Sequence, residues 1–415
     1  MKLRSDEIIM IKRFLRFEQK YNLGNYIING FRPWFFVRFW FFNYWERKVK
    51  GVDEIVSLSR ADLAKENEAC FSLENTFDDF LEKFSPAKIV FIPHPRRVKN
   101  AVDGFDSIYT DDLVIEVKDC IILEPPMWSM LPIEFSHYIP NSKFPVQYTD
   151  YIEKKINDEI KQNIHWNSSF YCEIVSFVEK IGQIFELEFN VSLDESIKAL
   201  IIEKIMYPSI AYPYYERLFK KIKPQIVYET YTPDSYCSFV INSICKKMGV
   251  QIVELQHGII DQENAIYYFF NKDDIERFSE YVPDKLFAFG KKMYSEGIFY
   301  QKNQIYNVGF PYLERNINMI TQKNKDVKKN KILFLSNGTI GKELFSIACS
   351  VADQLANQSD MEVMFKLHPY ESPSRYDVGW RRNIKVVDPF DNLYELFSQS
   401  ILQVGISSTA IYEGL

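Results

Sequence analysis

The chain has 415 residues, room for two domains with large cores, and its composition is globular, with 47% hydrophobic and 26% charged residues. A net charge of −6 gives no basis for a nucleic-acid partner. The cysteines (Cys70, Cys120, Cys172, Cys237, Cys245, Cys349) form no C-x-x-C pair and have no histidine at ligand spacing. They read as buried thiols of a reducing compartment, and no metal site is expected.

The first thirty residues are polar and mixed, read as helical, without the apolar core and small-residue site of a signal peptide. No apolar run is long enough to span a bilayer. Phe31 to Lys48 is dense in aromatics, with Arg32, Arg38, Arg47 and Lys48 around them and Pro33 suited to a first helical turn. It reads as a core helix with Arg38 paired; the alternative is an interfacial helix on an anionic membrane.

Residues 52–86 look helical. Ala87 to Ile92 is a short buried strand leading into Pro93-His94-Pro95-Arg96-Arg97, where Arg96 and Arg97 are candidates for holding an anionic acceptor. Short strands are expected at Ser107–Thr110 and Cys120–Leu123, with Asp111-Asp112 between them as an exposed turn or a second-choice base. Residues 150–220 carry helical periodicity interrupted by Pro208 and Pro213, a helical layer within the first domain.

Pro224–Glu229 is a strand, Thr232-Pro233-Asp234 a helix start, and Gln251–Leu255 the next strand, ending in Gln256-His257-Gly258. This strand–helix–strand unit implies a parallel pair. Strands at Asp284–Phe289 and Gln304–Val308 complete the first half. Glu229, Asp234 and His257 lie at strand ends, where a general base or nucleophile toward an acceptor hydroxyl would stand.

The polar stretch 316–330 reads as a linker. Beyond it come a strand (Lys331–Leu335), a loop with Asn337 and Gly338, a helix (Gly341–Ala356) and a strand ending in Lys366-Leu367-His368-Pro369. A short strand (Ile384–Val387), a helix capped by Asp391, and a strand (Ile401–Ile406) ending in Ser407-Ser408-Thr409 follow. His368, with Pro369 fixing the loop, can donate to phosphate. Ser407, Ser408 and Thr409 add hydroxyls at a helix start, and Glu413 a carboxylate for ribose hydroxyls.

The pattern predicts an α/β protein of two Rossmann-type domains facing a cleft, the GT-B architecture. Its parts are an acceptor-side domain (1–315), a linker (316–330) and a nucleotide-binding domain (331–415). The last is expected to be incomplete, since it stops inside a predicted helix.

Lys366-Leu367-His368-Pro369 followed by Val404-Gly405-Ile406-Ser407-Ser408-Thr409-Ala410-Ile411-Tyr412-Glu413 resembles bacterial capsule and surface-polysaccharide glycosyltransferases of GT-B type. These include sialyltransferases, Kdo transferases and teichoic-acid polyol-phosphate transferases. Val253 to Ile260 and Phe31 to Trp34 share in the resemblance, which is firmest over 225–260 and 305–413. It implies a cytidine nucleotide held by the two motifs, no metal or other cofactor, and a nucleotide-sugar donor such as CMP-Kdo or CMP-sialic acid. The acceptor would be a glycan or lipid-linked molecule, and the setting cytoplasmic, with peripheral contact at the inner membrane through 31–48 as a variant. The sialyltransferase-type acidic base motif is not matched, so the base stays open. Alternatives are a UDP-sugar transferase or nucleotide-sugar epimerase of the same fold, or a non-catalytic component of a capsule assembly or export complex.

Overall fold

The structure is a computed structural model that describes residues 2–51, 76–94, 98–99, 105–124, 144–230, 236–260, 265–323, 330–336, 340–356, 360–368, 371–388, 391–406 and 410–414. It opens with helices α1 (Lys2–Lys20) and α2 (Pro33–Lys50), then α3 (Phe77–Glu82). Strand β1 (Ile89–Ile92) precedes the small antiparallel pair β2 (Val98–Lys99) and β3 (Phe105–Asp106). After α4 (Asp111–Val114), β4 (Cys120–Glu124) and β5 (Val146–Tyr148) come three long helices: α5 (Asp150–His165), α6 (Ser169–Phe189) and α7 (Glu195–Ile222). Strand β6 (Ile226–Glu229), α8 (Tyr236–Met248), β7 (Gln251–Leu255), α9 (Lys272–Phe278), β8 (Lys285–Ala288) and β9 (Ile305–Asn307) follow. The remainder is α10 (Pro311–Lys323), β10 (Lys331–Leu335), α11 (Gly341–Leu355), β11 (Glu362–Lys366), β12 (Ile384–Val387), α12 (Leu393–Gln399), β13 (Ser400–Gly405) and α13 (Ala410–Glu413).

Two parallel sheets organise two compact α/β units. The first, drawn from the described parts of Met1–His94, Val117–Trp128 and Val146–Gly309, holds a seven-stranded sheet in the order β5-β4-β1-β6-β7-β8-β9. The chain runs outward from β1 in one direction and from β6 in the other, so its topological switch point lies between β1 and β6. The second unit gathers the described parts of Pro95–Glu116, Ser129–Pro145 and Phe310–Leu415 around the order β12-β11-β10-β13. Its switch point lies between β10 and β13. In open parallel sheets ligands enter at such points, beyond the carboxyl ends of the strands.

The aromatic helix α2 is core. Trp34, Phe35, Phe36, Phe41, Phe42 and Trp45 are all buried in the first unit's main cluster. Arg38, 1% exposed, donates twice to Glu18 (2.7 and 2.9 Å) and to the carbonyls of Ala265 (2.7 Å) and Tyr268 (2.8 Å), so its charge is paired inside. This burial fits the reading of residues 31–48 as a core helix with Arg38 paired. Among the described residues no helix is long and apolar enough to cross a membrane.

The helical layer 150–220 is present as α5 to α7. Pro208 and Pro213 do not interrupt it, because α7 runs through both. Glu153 of α5, buried, accepts from the hydroxyls of Tyr207 and Tyr215 (2.7 Å for the latter), joining α5 to α7 through a satisfied polar contact.

In the second unit the sheet is covered on both faces, as parallel sheets require. Phe334, Val363 and Phe365 pack with Leu344, Ala348 and Ala352 of α11. The alternate residues Leu333, Leu335 and Met364 pack with Leu393, Leu396 and Phe397 of α12 and Ile411 of α13.

Several sequence expectations change. The described residues 98–99 and 105–116, expected in the domain 1–315, cluster with the second unit, and α10 covers the first part of the stretch 316–330 read as a linker. Its polar residues are employed. Arg315 pairs with Asp106 (3.1 Å) and Asp112 (3.0 Å), and buried Asn316 donates to the Tyr312 carbonyl (2.7 Å). Ser107–Thr110 is a turn into α4, not a strand, and Asp111 is buried there, accepting from the Ser107 N–H (2.8 Å), not an exposed turn. The cap of α12 is Asn392, not Asp391. Cys172 is exposed, against the expectation of buried thiols.

Candidate functional site

In the second unit, β11 ends in Lys366, followed by Leu367 and His368. Lys366 is buried and its Nζ donates to the Asp388 carbonyl just past β12 (2.8 Å), tying the two strand ends together. The His368 N–H donates to Glu371 Oε2 (2.8 Å), and the Glu371 N–H donates back to the His368 carbonyl (2.9 Å). The histidine backbone is therefore held from both sides. Glu371 Oε1 takes the hydroxyl of Tyr376, whose ring packs on Phe345 of α11 and Phe365 of β11 at 5.1 and 5.2 Å. Burial, then the hydrogen bond to Glu371, keeps the Tyr376 phenol above its ordinary range.

Ser336, buried at the end of β10, lies on the switch-point side of this cluster. Across the switch point, β13 ends in Gly405, where a Cβ would come within 3.1 to 3.2 Å of Ile411 and Leu335, so glycine lets α13 pack close to the strand end. Glu413, read as a ribose ligand, accepts from the Tyr394 hydroxyl (2.6 Å). Pro369, Asn337, Gly338, Ser407, Ser408 and Thr409 lie outside the described residues.

In the first unit, His94 follows β1 and His257 follows β7, on either side of β6. Their rings lie 5.8 Å apart between centroids and 17° from parallel. Gln256 fixes the second of them: its side chain donates to the carbonyls of Gly258 (2.7 Å) and Met293 (2.6 Å) and accepts from the Phe289 N–H (2.7 Å). The Thr230 N–H bonds the Ile92 carbonyl (3.2 Å), joining the ends of β6 and β1. Two imidazoles therefore stand close together just past the ends of β1 and β7, His257 on a loop pinned by Gln256.

Glu229, the last residue of β6, is fully buried and accepts from Asn242 of α8 (2.9 Å). Burial pushes its carboxyl up to about 7, against the opposing bonds from Asn242 and Ser238. Glu254 on β7 is likewise sunk, taking the hydroxyls of Tyr267 and Tyr300 (2.5 Å for the latter), and burial raises it to about 8. Both are held among side chains of the interior. Asp234, Arg96 and Arg97 lie outside the described residues.

Sequence reasoning passed over His94 as a partner of His257, and passed over Glu371 and Gly341. The signals were modest: a second strand-end histidine near the turnover of strand order, an acid three residues after His368, and a glycine opening a helix.

No family model matches the chain, and no curated protein does. Among solved structures it is similar to Methanocaldococcus jannaschii UDP-GlcNAc 2-epimerase in complex with UDP-GlcNAc and UDP. That likeness has 14% identity over 79% of this chain and 80% of the other, with a TM-score of 0.39. S. aureus MnaA with UDP gives 16% identity, 78% and 75% coverage and a TM-score of 0.40. The wall teichoic acid polymerase TagF, in a single-substitution variant, gives 10% identity, 87% and 77% coverage and a TM-score of 0.40. Overlaps of this size carry no weight in assigning residues or chemistry.

Proposed function

We propose that the chain is a nucleotide-sugar-dependent glycosyltransferase of GT-B type acting in bacterial surface polysaccharide synthesis. The second unit would hold the donor, with a cytidine nucleotide favoured, and the first the glycan or lipid-linked acceptor. The observation that carries this reading is His368. It stands at the carboxyl end of a parallel strand, one strand from the switch point, with its backbone held at both N–H and carbonyl. An imidazole at a strand end whose backbone is held is suited to donate to a phosphate as its negative charge grows. The resemblance of the His-Pro and Ser/Thr motifs to cytidine-nucleotide-using transferases supports the choice of base.

In the reaction, an acceptor hydroxyl attacks the anomeric carbon, the bond from that carbon to the donor phosphate oxygen breaks, and the hydroxyl proton passes to a base. His257 suits the base role, since its loop is pinned by Gln256 and His94 lies beside it. Glu229 fits a supporting place, because it is fully buried and bonded to Asn242.

Calorimetry with CMP, CDP, UDP and GDP tests the reading. A cytidine nucleotide is expected to bind, and His368→Ala to weaken it by roughly 1.5–3 kcal/mol, the range for a hydrogen bond to a charged group. Unchanged binding in the variant removes His368 from the site. Preference for UDP moves the donor to a UDP-sugar, and nucleotide release without acceptor turns the reading toward an epimerase.

A further inference from the structure

We infer that Glu371 is the positioning residue of the histidine loop, and that it holds His368 in place by filling the start of α11. In doubly wound folds the first strand-to-helix turn commonly admits a ligand phosphate at the helix N-terminus. In the second unit the helix that follows β10 is α11, and its first residue, Gly341, is packed against from within the domain. A Cβ at Gly341, the first residue of α11, would collide with Glu371 Oε1 and the Tyr376 hydroxyl, and would lie 2.9 Å from Ser336 Oγ. The carboxyl group is therefore seated against the opening of the helix, where the dipole favours an acidic group.

From this seat Glu371 reaches the loop. One oxygen takes the His368 N–H at 2.8 Å and the other takes Tyr376, itself wedged between Phe345 and Phe365. Glu371 is only 5% exposed, so the clamp is set into the domain and not laid on its surface. Glycine at 341 is required by the same contact: any side chain there displaces the carboxyl group.

The inference rests on the reading of His368 as a nucleotide ligand, and the experiment separates the two. Cytidine-nucleotide affinity is measured by calorimetry on the full chain for His368→Ala, Glu371→Ala, Glu371→Gln, Gly341→Ala and the His368→Ala/Glu371→Ala pair. The His368 imidazole resonance is followed by NMR, which is tractable with five histidines. Glu371→Ala and Gly341→Ala should each weaken binding about tenfold and shift the His368 resonance, with the pair no worse than His368→Ala alone. Glu371→Gln should keep near-normal binding and resonance, because its amide oxygen can still accept from His368 and its NH2 group can meet Tyr376.

Full binding in Glu371→Ala beside loss in His368→Ala overturns the clamp and leaves the nucleotide reading standing. Equal loss in folded Glu371→Gln and Glu371→Ala also overturns it, since charge and not position would then matter. If His368→Ala binds normally, the nucleotide reading fails, and the resonance shift still decides whether Glu371 positions the loop. Should Glu371→Ala fail to fold, Glu371→Gln and Gly341→Ala carry the same decision.

Discussion

In the first unit the acidic residues of the central strands lie inside. Glu229 is closed in by Asn242, and Glu254 by Tyr267 and Tyr300. In the second unit a carboxyl group beyond the end of a strand, Glu371, is buried against the start of α11 and holds a histidine by its backbone. The units differ in thickness as well. The first packs seven strands against α1, α2 and the long helices α5 to α7, with an arginine fully enclosed. The second has a four-stranded sheet, the short pair β2 and β3, and two modest clusters, one on each face of the larger sheet. A thick core can house polar groups wholly inside and use them to join layers. In the second unit the buried carboxyl group of Glu371 lies past the carboxyl end of β11 and is used to hold the backbone of His368.

The largest expected effect tests whether the first unit depends on its enclosed polar groups. Arg38→Met removes both bonds to Glu18, whose side chain is 11% exposed, and leaves the two backbone carbonyls without that donor. Breaking one side of such a buried pair costs about 3–5 kcal/mol. Urea unfolding of the variant is expected to show a loss in this range, read from the far-UV signal. A loss under 1 kcal/mol would mean that the interior polar network is incidental, and the contrast between the units would reduce to size.

The next effect is a pH dependence. Burial raises Glu229 to about 7 and Glu254 to about 8, from an ordinary 4.5. As pH climbs from 4.5, the unfolded chain releases these protons while the folded chain keeps them. The folded state then loses stability, by up to about 1.4 kcal/mol per pH unit for each group. The decline ends as pH passes the folded values, near 7 for Glu229 and near 8 for Glu254. Thermal midpoints are therefore expected to fall between pH 5 and 8.5, and Glu254→Gln to flatten much of the slope. A flat profile in the unsubstituted protein would show that these carboxyls are not held protonated.

How much of this was visible in the sequence depends on the range of the interaction. Buried strands such as Ile89–Ile92 and Gln251–Leu255 announce themselves locally, through apolar runs ended by turn residues. The core role of α2 could be read from aromatics on more than one face, with Arg38 paired. The partner Glu18, by contrast, lies on another helix and is set by tertiary packing. Strand order, and with it the place of His94 beside His257, follows from crossovers that no local pattern records. The polar composition of residues 316–330 pointed to a linker, yet the part up to Lys323 is helical, with Asn316 bonding back to the Tyr312 carbonyl and the adjacent Arg315 pairing with Asp106. Glu371 was hidden for a similar reason: an acid near a proline is ordinary until the opening of α11 is brought against it.

The smallest effect compares one helix cap from each unit. Asp194 begins α7, accepting from the Ile197 N–H at 2.9 Å, and Asn392 begins α12, accepting from the N–H groups of Tyr394 and Glu395 at 2.9 and 3.2 Å. Replacing either by alanine orphans helix-start donors and is expected to cost about 1 kcal/mol at neutral pH. Acid separates them. Asp194 is held below its ordinary 3.8, first by the Ser196 hydroxyl and then by the Ile197 N–H, with burial opposing. Its contribution is present above the unfolded value and fades as pH falls through the folded one, because protonation removes the charge that the donors favour. The Asn392 amide has no proton to gain in that range. Denaturant midpoints measured at pH 7 and pH 3 should thus show the Asp194→Ala penalty shrinking while the Asn392→Ala penalty holds. Equal shrinkage would trace the acid loss to the chain as a whole, and the first unit's caps would then be no more charge-dependent than those of the second.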